Sequence, residues 1–303
     1  MTHSGRSLIS IYRWKIRLLG SMNHSAVLLL ALMILFGCQS EAPPSAVDPT
    51  PTIPLDYLPA ISGDYFKFES RAVGRSYHIY VSLPEGYDAL ESTEYPVVYL
   101  LDGDSLFPIL ATNHLFLNYD EDLPKAIVVG IAYGSFDPEM NKRGYDFSAP
   151  APDATSEQGG APMFLSFLKS ELLPEVEKRY RADSTRRVLF GQSRGGYMVL
   201  YSAFIEPDLF WGRIASNPSF DPGRELFFSN PASSSRTDLG LVVTSGSRDM
   251  PRLREDALEW FEVWKDRTDT PWLIKAATIE GGTHGANSPD SYRFGMIWLF
   301  NRS

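Results

Sequence analysis

Residues 186–204 read RRVLFGQSRGGYMVLYSAF: an apolar run, a glycine-rich turn and a second apolar run in immediate succession. Val188, Leu189 and Phe190 suit a short buried strand, and residues 194–204 suit a helix. A strand that feeds a helix through a tight turn is the unit of sheets with helical crossovers. Gly191, Gly195 and Gly196 allow the chain to turn sharply and let neighbouring backbone approach closely. The string G-x-S-x-G is weak evidence by itself in a chain with 23 glycines. Its setting between strand and helix strengthens it, because such a turn lifts the Ser193 hydroxyl above the edge of a sheet. The Arg194 N–H then belongs to the first turn of a helix, where no intrahelical acceptor exists. It is a candidate donor to a developing oxyanion.

Outward from this turn, the same alternation continues. Residues 95–101 (YPVVYLL) and 125–131 (KAIVVGI) are nearly unbroken apolar runs, as expected of strands covered on both faces. Residues 65–69 and 76–83 alternate apolar and polar side chains and predict two early strands, with further strands at 239–244 and 273–279. A helix is predicted over 163–180, with Phe164, Leu168, Leu172 and Val176 on one face and a bend at Pro174. Residues 253–265 and 290–300 predict two more. The fold class that follows is α/β, a mostly parallel doubly wound sheet flanked by helices, with no large lid domain. No internal repeat interrupts it.

A serine at such a turn needs a base. Of the five histidines, His3 and His24 lie in the N-terminal segment and His78 in an early strand. His114 falls in a predicted helix after the Asp102-Gly103 turn, which suits a packing role. His284 remains, in the loop GGTHG between the last predicted strand and the last helix. The acid that would orient it belongs after the preceding strand, where SGSRD ends in Asp249. Glu255 and Asp256 are rivals within the following helix, and Asp249 could instead cap that helix. A second oxyanion donor is expected from the backbone of Asp104 or Ser105, in the turn after YPVVYLL. A plain turn with a helix cap is the alternative.

Composition narrows the rest. The formal charge of −9 argues against a nucleic-acid partner. The single cysteine, Cys38, excludes an internal disulfide and any cysteine-built metal site. No metal or cofactor is expected. Arg13, Lys15 and Arg17 precede the apolar run 26–36, which is short for a bilayer span and reads as a secretory leader over residues 1–37. Its ending, Leu35-Phe36-Gly37-Cys38, resembles the lipobox of bacterial lipoproteins, in which the cysteine is lipidated. Gln39 in place of Asp favours outer-membrane sorting. Either Met1 or Met22 could begin the chain. Residues 38–57, rich in Pro, Ser and Ala, read as a flexible tether, and 58–303 as one folded domain. The expected location is the cell envelope, lipid-anchored through Cys38, facing periplasm or surface.

Several separated segments carry a family resemblance: YPVVYLLDGD, RGYDFSAP (residues 143–150), FLSFLKSELLPEVEKRYRAD, the 186–204 stretch, IASNPSF, and GGTHG with the helix ending in WLF. They are similar to the putative esterase family of α/β-hydrolases, which includes siderophore, feruloyl and acetyl xylan esterases, S-formylglutathione hydrolase and mycolyl transferases. The siderophore-esterase branch is most similar, chiefly after His284. The resemblance implies Ser193 and His284 as catalytic residues, with an acid that varies within that branch. It implies Ser105, Arg143 and Asn217 near the substrate pocket, Arg143 and Asp146 fitting an R-x-x-D-x-[ST]-x-P stretch. The implied chemistry is two-step acyl transfer from a small-molecule or glycan ester to water. An acyltransferase or peptidase on the same machinery, or a non-catalytic ligand-binding lipoprotein, are the alternatives.

Overall fold

The structure, a computed structural model, describes residues 58–302. The predicted leader, Cys38 and the tether lie outside the described residues. Among those described, no helix is long and apolar enough to cross a membrane.

Eight strands form one sheet: β1 (Gly63–Ser70), β2 (Arg75–Ser82), β3 (Tyr95–Leu100), β4 (Ile127–Ala132), β5 (Ala182–Gln192), β6 (Gly212–Ser216), β7 (Leu239–Gly246) and β8 (Trp272–Ile279). Their order is β1-β2-β4-β3-β5-β6-β7-β8. The first hairpin and the β2–β4 pair are antiparallel, and every pairing from β4 to β8 is parallel. Because β3–β8 all run the same way, their carboxyl ends deliver six loops to one edge of the sheet. Strands β4, β6 and β7 are buried along their whole length, which is why β4 and β7 read as apolar runs rather than alternating ones.

Helices cover both faces. On one face lie α1 (Gly103–Asp120) and α7 (Ser288–Asn301), closing a core around Val98, Leu110, Phe190, Ile214 and Met296. On the other lie α3 (Ala161–Phe167), α4 (Leu173–Arg179), α5 (Arg194–Ile205) and α6 (Pro251–Trp264), over Tyr77, Tyr99, Phe164, Phe204 and Trp264. A one-turn helix, α2 (Arg143–Asp146), sits in the connection after β4. The bend predicted at Pro174 takes the form of a π turn over Leu168–Leu172, between α3 and α4. A proline cannot donate to the carbonyl four residues back, and the widened turn accommodates that.

Strand β6 has no counterpart in the sequence reading. It is five residues long and carries Arg213 at its second position, which breaks the apolar run that would have signalled it. Arg213 is wholly buried and has no carboxylate partner among the described residues. Its guanidinium instead donates to the carbonyls of Ser202, Glu206, Pro207 and Phe210 and to the Ser202 hydroxyl. Ser202 and Glu206 belong to the carboxyl end of α5, whose last carbonyls lack helical acceptors and carry partial negative charge. Burial lowers the guanidinium pKa to about 9. Arg213 thus ties down the far end of the helix that begins at Ser193.

His114 sits inside α1 and is buried, its Nδ1 accepting from the Tyr292 hydroxyl (2.9 Å) and its Nε2 donating to the Pro124 carbonyl (3.2 Å). Both contacts suit a neutral ring, and burial pushes its pKa down to about 4. As pH falls from 6.5 towards 4 the unfolded chain takes up a proton that the folded chain refuses, so stability is lost across that window. The term is about 3 kcal/mol at its full extent. Unfolding followed from pH 7 to pH 4 should show a flatter stability slope in His114→Gln than in the parent. Equal slopes would assign the loss to other groups.

Candidate active site

Ser193 lies between β5 and α5 with φ 59° and ψ −115°, a region that side chains other than glycine rarely occupy. The turn is pinned on all sides. The Ser193 N–H donates to the Ser216 carbonyl (2.9 Å), and the Ser193 carbonyl accepts from the N–H groups of Tyr197 (3.0 Å) and Ser219 (3.1 Å). A Cβ at Gly191 would lie 2.3 Å from the Gly195 carbonyl oxygen, and one at Gly196 would lie 3.0 Å from the Pro218 Cα. No side chain can stand at Gly191 without opening the turn. Such strain persists only where the surroundings over-determine it, as at functional sites.

Two further loops reach the Ser193 hydroxyl. His284 Nε2 is 2.8 Å from Ser193 Oγ, and His284 Nδ1 is 2.8 Å from Asp249 Oδ1. The carboxylate fixes the ring tautomer, with the proton on Nδ1 and Nε2 free to accept from the serine. Asp249 follows β7 with its side chain fully buried, and Oδ1 also accepts from the Met250 N–H (2.7 Å). Met250, not Asp249, occupies the capping position of α6. The rivals Glu255 and Asp256 lie within α6, where Asp256 faces Arg224.

Asn217 requires a correction. The sequence suggests a pocket-lining role, but the residue is buried and every donor and acceptor of its amide is occupied. Nδ2 donates to the carbonyls of Thr283 (3.0 Å) and His284 (2.9 Å). Oδ1 accepts from the Gly246 N–H (3.0 Å) and from Asn287 Nδ2 (2.8 Å). A carboxamide offers two donors and two lone pairs, so nothing is left for a substrate. The side chain fastens the His284 loop to the ends of β6 and β7, and Gln192 Nε2 adds a bond to the same His284 carbonyl. Beneath the loop, Ser216, Thr244 and Asn287 converge on the Ser291 hydroxyl, all four buried. The only trace of this seam in the sequence is small polar residues at the ends of otherwise apolar strands.

Arg143 is part-exposed beside the nucleophile turn, where it reaches the Gln192 carbonyl. Its guanidinium makes a bidentate pair with Asp102, Nε to Oδ1 at 2.6 Å and a terminal nitrogen to Oδ2 at 2.8 Å. Asp102 has φ 57° and immediately precedes α1. The pair therefore fixes the turn that would present the second oxyanion donor. Asp104 accepts the N–H groups of Tyr133 (2.8 Å) and Gly134 (2.7 Å) on its carboxylate, which secures the same turn against the end of β4. Arg194 and Asp104 are the first and second residues of α5 and α1, and first-turn N–H groups lack helical acceptors. Ser105, beside them, is exposed. Asp146 is buried away from solvent, accepting from Arg75 and from the hydroxyls of Tyr77 (2.8 Å) and Tyr133 (2.9 Å); it is a structural ion-pair partner. Two clefts of about 570 and 720 Å³ open elsewhere on the surface, and neither is bordered by Ser193, Asp249 or His284.

Removing the Asn217 amide should strand polar groups at the end of β7 and on the His284 loop. Asn217→Ala is expected to lose about 2–4 kcal/mol in denaturant unfolding. An unchanged unfolding midpoint would show that water replaces the amide at no cost.

The family model described as "Putative esterase" matches residues 70–297 of this chain. A ferri-bacillibactin esterase of Bacillus subtilis is 34% identical over 163 residues, covering 50% of this chain and 56% of that protein. A siderophore triacetylfusarinine C esterase of Aspergillus fumigatus is 29% identical over 170 residues, covering 54% and 57%. The matched stretch thus spans little more than half the length of these curated relatives. Among solved structures, a BES protein from Bacillus cereus superposes with a TM-score of 0.68 at 26% identity, covering 78% of this chain and 94% of that one. With its order of strands, its serine turn and a family match over most of the folded body, the chain belongs to the esterase family of α/β-hydrolases.

Proposed function

We propose that this protein is a serine carboxylic-ester hydrolase in which Ser193 is the nucleophile, His284 the general base and Asp249 the residue that orients it. The observation that carries the reading is the unbroken relay from Ser193 Oγ through His284 to Asp249, both contacts at 2.8 Å. In the first step His284 Nε2 takes the hydroxyl proton as Ser193 Oγ attacks the ester carbonyl. The N–H groups of Arg194 and Asp104 receive the negative charge that builds on the carbonyl oxygen. Collapse expels the alcohol, which leaves with the proton held by His284. Water then repeats the sequence on the acyl-enzyme and releases the acid.

The two curated relatives named above are esterases of siderophores, which supports a siderophore-type ester as substrate. The lipobox-like ending at Cys38 supports a lipid anchor at the cell envelope.

A fluorophosphonate probe should add once to the parent protein, at Ser193, and not at all to Ser193→Ala, as read by intact mass. Full labelling of the variant would overturn the assignment. Asp249→Asn keeps the shape of the side chain but can donate to Nδ1, which favours the wrong ring tautomer. Its kcat on a simple nitrophenyl ester should fall on the order of 10³-fold with the melting temperature little changed. Parent-like turnover in that variant would remove Asp249 from the mechanism.

A further inference from the structure

Two charged groups near Ser193 are matched in ion pairs, and Arg194 is not. Arg143 is held by Asp102, and Asp221 is held by Arg252. Arg194, the residue next to the nucleophile, has no carboxylate within salt-bridge distance among the described residues. Its one side-chain bond is from a terminal nitrogen to the Ser148 hydroxyl, at 2.7 Å. Ser148 is wholly buried and donates in turn to the Gly144 carbonyl (2.7 Å), so the acceptor that aims this guanidinium is itself fixed. A guanidinium has five N–H donors, and a single neutral hydroxyl uses one of them.

Leaving this cation unmatched is costly. Arg194 is only part-exposed, and burial first, then the positive charge of Arg143, lower its pKa from the usual arginine value. Asp221 acts in the opposite direction but is itself engaged by Arg252. A half-desolvated cation beside a second cation is stabilised most by an anion that offers several acceptor lone pairs. The guanidinium lies close enough to Arg143 to feel its charge, and Arg143 itself reaches the Gln192 carbonyl beside Ser193, so an anion held there shares the sheet edge that carries the nucleophile.

We propose that the Arg194 guanidinium, steadied by Ser148, is a specificity subsite for an anionic oxygen, carboxylate or deprotonated hydroxyl, carried by the ester substrate. This rests on the esterase reading and adds the substrate class to it. A charge-assisted hydrogen bond to such a group is worth about tenfold or more in kcat/KM.

The test compares two esters of equal chain length, 4-nitrophenyl hexanoate and mono-4-nitrophenyl adipate, which differ only in a terminal carboxylate. The quantity read is the ratio of their kcat/KM values within each protein, which cancels any loss common to both. In Arg194→Gln, which keeps the backbone N–H, the adipate-to-hexanoate ratio should fall about tenfold or more relative to the parent. Arg194→Lys should retain much of it, and Ser148→Ala should lower it less than the Gln variant does. Raising salt from about 50 mM to about 0.5 M should lower the ratio in the parent and leave it level in Arg194→Gln. A ratio that is the same in parent and Arg194→Gln overturns the subsite, whatever the absolute rates. A parent that hydrolyses neither ester and leaves Ser193 unlabelled by fluorophosphonate overturns the esterase reading itself, and is thereby told apart.

Discussion

The Asn217 amide is saturated by partners from two separate parts of the chain, and the geometry at Ser193 rests on it. Its two N–H groups hold the carbonyls of Thr283 and His284, while its oxygen holds the Gly246 N–H and Asn287. Ser193 and Asp249 reach the same sheet edge on the turns after β5 and β7. Each is pinned by backbone hydrogen bonds, Ser193 to Ser216 and Asp249 to Gly246. The His284 loop has no such backbone tie to β6. A backbone bond from the Arg248 N–H to the Gly282 carbonyl (2.9 Å) ties it to the turn after β7. Towards β5 and β6 it is held by the side chains of Gln192 and Asn217, which fix the His284 carbonyl and so help the ring reach its 2.8 Å contacts. Buried amides of this kind are either fully satisfied or a liability, and here satisfaction and placement of the ring coincide.

The same economy governs the buried charges. Arg213 is compensated by helix-end carbonyls, Asp146 by two tyrosines and an arginine, and Asp102 by a two-pronged arginine. Each arrangement also joins separate elements: β6 to the end of α5, α2 to β2, and the α1 turn to α2. Losing one partner of such a pair strands the other in a medium where an isolated charge is expensive. Against that background the guanidinium of Arg194 stands out as one that the fold leaves unmatched among the described residues.

Most of the architecture was legible because both signals that announce it are local. Unbroken apolar runs mark β3, β4 and β7, and the glycine-flanked serine marks the strand–helix turn. The position of His284 followed from elimination and chain order. Strand β6 escaped because a buried arginine interrupts a five-residue run, and its compensation by carbonyls cannot be seen without the fold. Asn217 was placed near the site, but facing substrate rather than the loops it braces. Polar residues that serve other polar residues look, in one dimension, like residues that serve a ligand. The Ser216–Thr244–Asn287–Ser291 seam was invisible for the same reason: its members are 75 positions apart at the extreme and meet only in three dimensions.

Strand β8, which leads into the His284 loop, is the outermost of the parallel strands, and its residues alternate between buried, part-buried and exposed. Edge strands open locally at lower free energy than central ones. The histidine, however, is moored inward, to β6 through Asn217, and not outward through its own strand. Fraying of the margin can therefore come and go while the imidazole keeps its station, as a buoy chained to the seabed ignores the wear on its shoreline rope.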